Sequence, residues 1–191
     1  MKQATIQDGP DAPASPIVVT EFDSPLGGMV AAATDEGVCL LEFKDRRALK
    51  TELRDLPKLT RREIAPAGSK LPGPLEQLLL ELAAYFDGSL KHFDVPLMTP
   101  GTAWEQSVWG VLRRVPYGVT RSYGEVADEL GKPGGARAVG LANGRNRIAI
   151  VIPCHRIINS DGGLHGYGGG LDRKRWLLEH EARGARTVLF S

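Results

Sequence analysis

The sequence predicts an α+β protein of two domains: a small antiparallel sheet with a helix in the first, and a group of short helices in the second. Three observations lead there. Short β-rich runs parted by turn residues fill the early chain, helix-period apolar stripes with matched capping residues fill the later chain, and a Pro/Gly-bearing stretch lies between them. The 191 residues are 42% hydrophobic and 25% charged, an ordinary globular composition with enough apolar material for a core.

Residues 1–16 place Pro10, Pro13 and Pro16 among Asp, Ala, Ser and Gln with no apolar period, so a disordered tail is expected, followed by a first domain over 17–96. The start lacks an apolar signal region, and the run Ile148 to Ile152 is far short of the roughly 20 residues of a membrane span. The expectation is a cytoplasmic protein with no membrane partner. The runs IVVTEFD, GMVAAAT and VCLLEFK, the last two joined through Asp35-Glu36-Gly37, read as two or three antiparallel strands. Cys39 falls in the third run and reads as a small buried hydrophobe. After Pro72-Gly73-Pro74, Leu75, Leu78, Leu79, Leu82 and Phe86 mark one face of a helix ending at Asp87-Gly88. Gly88 to Thr102, with Pro96, Pro100 and Gly101, reads as a linker into a second domain over 97–191.

That domain opens on a capping-box pair, Thr102 and Glu105, with Trp104, Val108, Val111, Leu112 and Val115 as an apolar stripe and Pro116-Tyr117-Gly118 as the stop. Ser122 and Glu125 form a second capping box on a short helix through Val126 and Leu130; Gly131 to Gly135 makes a turn, and a further helix covers Ala136 to Asn143. Helix, glycine-bearing turn, helix is the pattern of a helix-turn-helix. Charge favours that reading. Overall, 24 basic against 23 acidic residues give a net +1 and exclude a basic coat, yet Leu130 to Ser160 holds Lys132, Arg137, Arg145, Arg147 and Arg156 and no acid. A local basic block is the footprint of a phosphate-contacting surface.

Two cysteines without CxxC spacing support neither a disulfide framework nor a zinc ribbon. The run IAIVI leads directly into Pro153-Cys154-His155-Arg156, bringing a thiol, an imidazole and a guanidinium together. A free Cys is only ~3% thiolate at pH 7, so a nucleophilic one needs a base, a cation or a helix N-terminus nearby, and His155 and Arg156 are candidates for that work. An adjacent Cys–His pair taken alone is more often an inert thiol beside a surface His.

The stretch ARAVGLANGRNRIAIVIPCHRIINSDGGLHGYGGGLDRKRWLLEHE, Ala136 to Glu181, strongly resembles the O6-alkylguanine-DNA alkyltransferases in its PCHR core, its Gly-Tyr-x-Gly-Gly-Leu loop and its closing Trp-Leu-Leu-x-His-Glu helix. The likeness continues upstream through Val115-Pro116-Tyr117-Gly118 and Ser122-Tyr123, and more loosely from about residue 17. It implies a helical, winged helix-turn-helix-like second domain that flips an alkylated guanine out of duplex DNA, because a stacked base is out of reach. Cys154 is then the nucleophile of an SN2 attack that leaves a thioether, so the protein is consumed in one turnover. The same resemblance makes His155 a general base acting through a water, with Glu181 orienting and stabilising its imidazole. It makes Asn146 a hinge that fixes the thiol, Tyr123 a proton donor toward guanine N3, and Arg137 a finger filling the gap left by the flipped base. Tyr167, Gly168 and Gly169 wall the guanine pocket, and Arg156, Ser122, Ala136 and Lys174 complete the expected substrate- and DNA-binding set.

The expected partner is double-stranded DNA containing O6-alkylguanine, with O4-alkylthymine as a further candidate, bound by a monomer whose cooperative placement along DNA stays open. No cofactor is expected, and no metal: only Cys39 and His92 are available upstream, and His180-Glu181 is followed by Ala182-Arg183-Gly184 rather than a second ligand. The chain departs from the family pattern at Arg147 and Ala149, where many or some members carry Pro, at Gly168, where Ser or Ala is frequent, and at His165. Two alternatives are a lesion-binding protein that recruits other factors without transfer, whose known kind lacks the cysteine found at Cys154, and a transcriptional sensor, for which the cysteines are too few. A cysteine hydrolase is a further one, with no substrate cleft to support it.

Overall fold

The computed structural model describes residues 15–68 and 70–187. The expected tail over 1–16 lies outside the described residues except at Ser15 and Pro16. Ser15 is anchored: Arg62 donates to its carbonyl at 2.9 Å, and the Asp35 amide donates to its hydroxyl at 3.3 Å.

Three strands follow as expected, β1 (Ile17–Ser24), β2 (Gly27–Thr34) and β3 (Gly37–Phe43), paired antiparallel in sequence. A helix α1 (Leu49–Thr60) and a two-residue strand β4 (Ile64–Ala65) come next; β4 pairs parallel with β1, giving the order β3-β2-β1-β4. The sheet is thus not wholly antiparallel. β2 is buried along nearly its whole length because both faces are covered. Met29, Ala31 and Ala33 face one apolar cluster, while Val30 and Ala32 face another that includes Leu49 and Leu56 of α1. Small side chains on β2 let these layers approach closely. The register shifts between Ala32 and Ala33, so Cys39 is the extra residue of a bulge and joins Leu40 on the α1 side. There its thiol donates to the Ala32 carbonyl at 3.4 Å, and burial pushes it up to about 12, in keeping with an inert packing residue.

Helix α2 (Gly73–Asp87) ends where predicted but begins at Gly73 rather than after Pro74, which sits in its first turn, and Gly88 is in the left-handed conformation at its end. Its buried face is Leu75, Leu78, Leu82 and Tyr85; Phe86 is only partly covered. The segment read as a linker is stitched to the sheet instead. The Val38 amide donates to the Pro96 carbonyl and the Met98 amide to the Val38 carbonyl, each at 2.9 Å. β3 is a sheet edge with unpaired backbone groups, and this segment satisfies part of that edge.

The second half is helical: α3 (Ala103–Arg113), α4 (Tyr123–Glu129), α5 (Ala136–Gly144) and α6 (Leu171–Thr187). Both predicted capping boxes are formed in full, Thr102 with Glu105 and Ser122 with Glu125. Val115 is buried but lies beyond α3. Short strands β5 (Arg121–Ser122) and β6 (Ile157–Ile158) pair parallel beside α4, and the Trp109 indole donates to the Ala142 carbonyl at 2.9 Å, fastening α3 to α5. Among the described residues no helix is long and apolar enough to cross a membrane.

The stitched edge leaves no room at Gly37, where a Cβ would lie 2.9 Å from backbone atoms of Pro96, Leu97 and Met98, whereas a Cβ at Gly73 meets nothing within 4 Å. Gly37→Ala should therefore cost about 1–3 kcal/mol of overpacking, while Gly73→Ala should be neutral or stabilising by up to ~1 kcal/mol. Urea unfolding midpoints of the two variants check the contrast.

Candidate active site

The apolar run before the cysteine is not a strand. It touches β3 once, where the Leu41 amide donates to the Arg147 carbonyl and the Ala149 amide to the Leu41 carbonyl, each at 2.8 Å. It then coils tightly, with Val151 donating to the Ala149 carbonyl, Ile152 to Ile148 and Cys154 to Ile152. Ile150 sits at φ +70°, a conformation a β-branched residue adopts only under constraint, at a cost of about 1–3 kcal/mol. The constraint comes from burial and from Asn146. Residues 148–152 are all buried, and Asn146 Oδ1 accepts from the Ile148 amide at 3.0 Å while its Nδ2 donates to the Ile152 carbonyl at 2.9 Å. The same Nδ2 lies 3.1 Å from Cys154 Sγ. One buried amide therefore holds both the coil and the sulfur.

Cys154 opens a single 3-10 turn, Cys154–Arg156, and is 6% exposed. Burial pushes its thiol up to about 11, against the Asn146 hydrogen bond, with Glu42 adding to the rise and Arg46 and Lys174 opposing it. Burial thus outweighs the neighbouring cations, and Arg156, a candidate to lower the thiol, points elsewhere. Its Nε and Nη2 donate to the two oxygens of Glu181 at 2.9 and 3.0 Å, and its Nη1 to the Val115 carbonyl at 2.6 Å.

Glu181, fully buried on α6, also accepts from His155 Nε2 at 2.8 Å, Tyr85 Oη at 2.8 Å and the Gly118 amide at 3.1 Å. Burial works against its charge, yet His155 and Arg156 overcome this and hold the carboxyl well below the usual range. Burial also lowers His155, against the pull of Glu181, so its ring is neutral at rest. A carboxylate only accepts, so Nε2 carries the proton and Nδ1 keeps its lone pair; Nδ1 is buried with no partner among the described residues. A neutral imidazole with one nitrogen anchored and the other free is poised to take a proton.

The cysteine floors a cleft of about 370 Å³ whose walls include Tyr123, Asn143, Tyr167, Gly168 and Arg46. Tyr167 Oη and Asn143 Oδ1 are buried there without partners among the described residues. Burial raises Tyr123 and Tyr167, so both phenols are protonated at neutral pH. A second groove, about 390 Å³, runs beside it over Tyr123, Ala136 and Arg137 on the helix-turn-helix face; Arg137 is exposed and unpaired among the described residues. Ser122 lies in an adjoining groove with Asn159 and Ser160, its hydroxyl capping α4.

Three predicted binding residues take other places. Arg156 is buried on Glu181, and Lys174 is fully buried, donating to the carbonyls of Ile157 at 2.6 Å and His165 at 3.0 Å. Both side chains are spent on internal hydrogen bonds and brace the site from behind. Gly169 packs on the first half, where a Cβ would come within 2.5 Å of the Phe43 ring, and does not line the cleft. The basic block is likewise smaller than its sequence count: Arg156 is buried on Glu181 and Arg147 donates to the Pro100 carbonyl, while Lys132, Arg137 and Arg145 stay exposed, Arg145 paired with Glu105 at 2.9 Å. The sequence reading missed Tyr85, Asn143, Arg46 and the Gly118 amide. For Tyr85 the helical spacing of α2 was a usable signal, one position from the Phe86 it singled out.

Family models match in both halves. Residues 17–99 match the ribonuclease-like domain of 6-O-methylguanine DNA methyltransferase, and residues 103–183 match its DNA binding domain. The methylated-DNA–protein-cysteine methyltransferase of Mycolicibacterium paratuberculosis is 46% identical over 169 residues, covering 87% of this chain and 93% of that one. The crystal structure of Mycobacterium tuberculosis O6-methylguanine methyltransferase superposes with a TM-score of 0.74 at 42% identity, covering 92% of this chain and 99% of that one. Mycobacterium tuberculosis OGT in complex with DNA gives a TM-score of 0.73 at 41% identity, with 91% and 99% covered. With both halves matched in order, and a thiol, a buried amide bonded to it and a carboxylate-anchored imidazole gathered at one place, the chain belongs to the 6-O-methylguanine DNA methyltransferase family.

Proposed function

We propose that the protein binds duplex DNA through its helix-turn-helix face, receives a flipped O6-alkylguanine in the Cys154 cleft, and moves the alkyl group irreversibly onto Cys154. The observation that carries this is the sulfur held by Asn146 on the floor of an open cleft, next to an imidazole whose Nδ1 lone pair is free. His155 takes the thiol proton through a water while Glu181 balances the charge that appears on the ring. The sulfur then forms its bond to the alkyl carbon as the carbon–O6 bond breaks, and the electron pair departs onto the base. Tyr123, a protonated phenol on the cleft wall, is the group to neutralise that charge by donation toward guanine N3. The product thioether offers no leaving group for a nearby base to expel, so the turnover is single. Arg137 fills the duplex where the base has left.

A lesion binder without transfer makes the opposite prediction at the thiol. After incubation with duplex DNA carrying O6-methylguanine, mass spectrometry should find one added methyl per protein, on the Cys154 peptide; Cys154→Ala should bind the lesion and gain no mass. Tight binding with an unmodified thiol would sink the proposal.

The finger role separates two substrates. Arg137→Ala should slow transfer from duplex DNA by one to two orders of magnitude, the scale of ~1–3 kcal/mol per DNA-contacting arginine, and leave reaction with free O6-benzylguanine unchanged. Equal losses on both would remove the role.

Glu181 also sets an acid limit. Its folded-state carboxyl is depressed, so its contribution to stability is present above the ordinary glutamate range near pH ~4.3 and fades as pH falls below it. Urea unfolding across that range should show a steep acid decline for the unsubstituted protein. Glu181→Gln, weaker at neutral pH by about 3–5 kcal/mol because Arg156 is left buried and unpaired, should show a shallower one.

A further inference from the structure

One wall of the Cys154 cleft comes from the other half of the chain. Arg46 lies in the turn between β3 and α1, and its Nη2 donates to the Gly144 carbonyl at the end of α5 at 3.0 Å. The guanidinium is held from behind by two buried acids: Nη1 donates to Glu42 Oε1 at 2.6 Å and Nη2 to Glu52 Oε1 at 2.9 Å, with the Arg46 side chain 8% exposed. Swinging it away would strand both carboxylates in the interior, so this arginine is a fixed wall rather than a mobile surface chain.

Across the cleft stands Gly168. A Cβ there would lie 2.2 Å from Arg46 Nη1 and 2.7 Å from its Cζ, and the three atoms nearest that position all belong to the Arg46 guanidinium. The guanidinium therefore fills the space that a side chain on the pocket loop would occupy. We infer that Arg46 is a specificity-determining residue of the alkyl pocket: with Gly168 it sets how large an O6 substituent can reach Cys154. The first half thus contributes a surface to the reaction as well as a support. This inference rests on the transfer reading above, since it concerns the size of the group transferred.

The test compares transfer rates from O6-methylguanine and O6-benzylguanine in the same duplex. In Arg46→Met/Glu42→Gln/Glu52→Gln, which removes the wall together with the acids it would otherwise strand, the benzyl-to-methyl ratio should rise by about tenfold or more, the scale of one or two methylenes of steric mismatch in a pocket. Arg46→Lys keeps a cation for the carboxylates while withdrawing the planar guanidinium from Gly168, and should move the ratio the same way, so the outcome does not depend on the triple variant folding. Gly168→Ala should slow both reactions, benzyl more than methyl, and combining it with the triple variant should restore methyl transfer. Transfer by the unsubstituted protein with a ratio unmoved in every Arg46 variant, or a Gly168→Ala defect that the triple variant fails to relieve, would overturn the assignment of Arg46 alone. Absence of transfer by the unsubstituted protein would instead sink the functional reading and this one with it.

Discussion

The second half of the molecule is organised around one buried anion. Glu181 accepts five hydrogen bonds, from His155, Tyr85, the Gly118 amide and two nitrogens of Arg156, and these donors come from α2, the turn after α3 and the 3-10 turn that begins at Cys154. An isolated buried carboxylate would be very costly, so the anion is stable only while all these elements are in place. The dependence runs both ways. Each element is positioned by a bond that only a carboxylate at this spot can accept, and the imidazole's tautomer follows from it. Structure and the proposed chemistry thus rest on the same atoms, since the charge that holds the turn together also leaves the lone pair of His155 Nδ1 without a partner among the described residues.

Asn146 supplies the other half of the positioning. The chain must turn sharply to present a sulfur at a cleft floor, and that turn forces Ile150 into a left-handed conformation. Burial of the aliphatic run and the three bonds of the Asn146 amide to Ile148, Ile152 and Cys154 offset that strain. The bonds to Leu41 hang the whole coil on the edge of β3, so a register error in the first sheet would displace the thiol. Two sequence-distant halves are in this sense one site.

Much of this was legible beforehand, for identifiable reasons. Capping boxes are local, needing residues three apart, and both formed as read. The bounds of α2 follow from Pro and Gly, which act through their own backbones. What stayed hidden is what tertiary contact decides. α1 follows Ala48, an N-cap residue with no side chain to cap it, and contains Pro57, so neither its start nor its interior advertises a helix, although Leu49 and Leu56 share a buried face. The run at 148–152 is continuously apolar, a pattern that fits a buried strand or coil equally well, and hydrogen bonds to Asn146 decide between them. Arg156 and Lys174 look like surface cations in a sequence; only the fold reveals that their partners are a carboxylate on α6 and two backbone carbonyls. The same blindness inflated the basic block. Charge counted along a chain ignores pairing, and the exposed part that has no acidic partner among the described residues narrows to Lys132 and Arg137, with Arg145 exposed but paired with Glu105.

The raised thiol changes how the nucleophile should be understood. A cysteine protease must regenerate its thiolate on every cycle, which favours a standing ion pair with a depressed thiol. A protein that spends its cysteine once has the opposite need, because a standing thiolate would be open to oxidation and to alkylation by stray electrophiles before any lesion was found. Burial, the neighbouring Glu42 and the diversion of Arg156 to Glu181 together keep Cys154 protonated at rest. The base beside it is correspondingly neutral, since burial lowers His155. Proton movement from sulfur to imidazole is then uphill in the empty cleft and gains its driving force only as the sulfur begins to bond to carbon. On this argument the departure from the expected low thiol value is not a weakness of the site, because it makes reactivity conditional on a substrate already seated against Cys154.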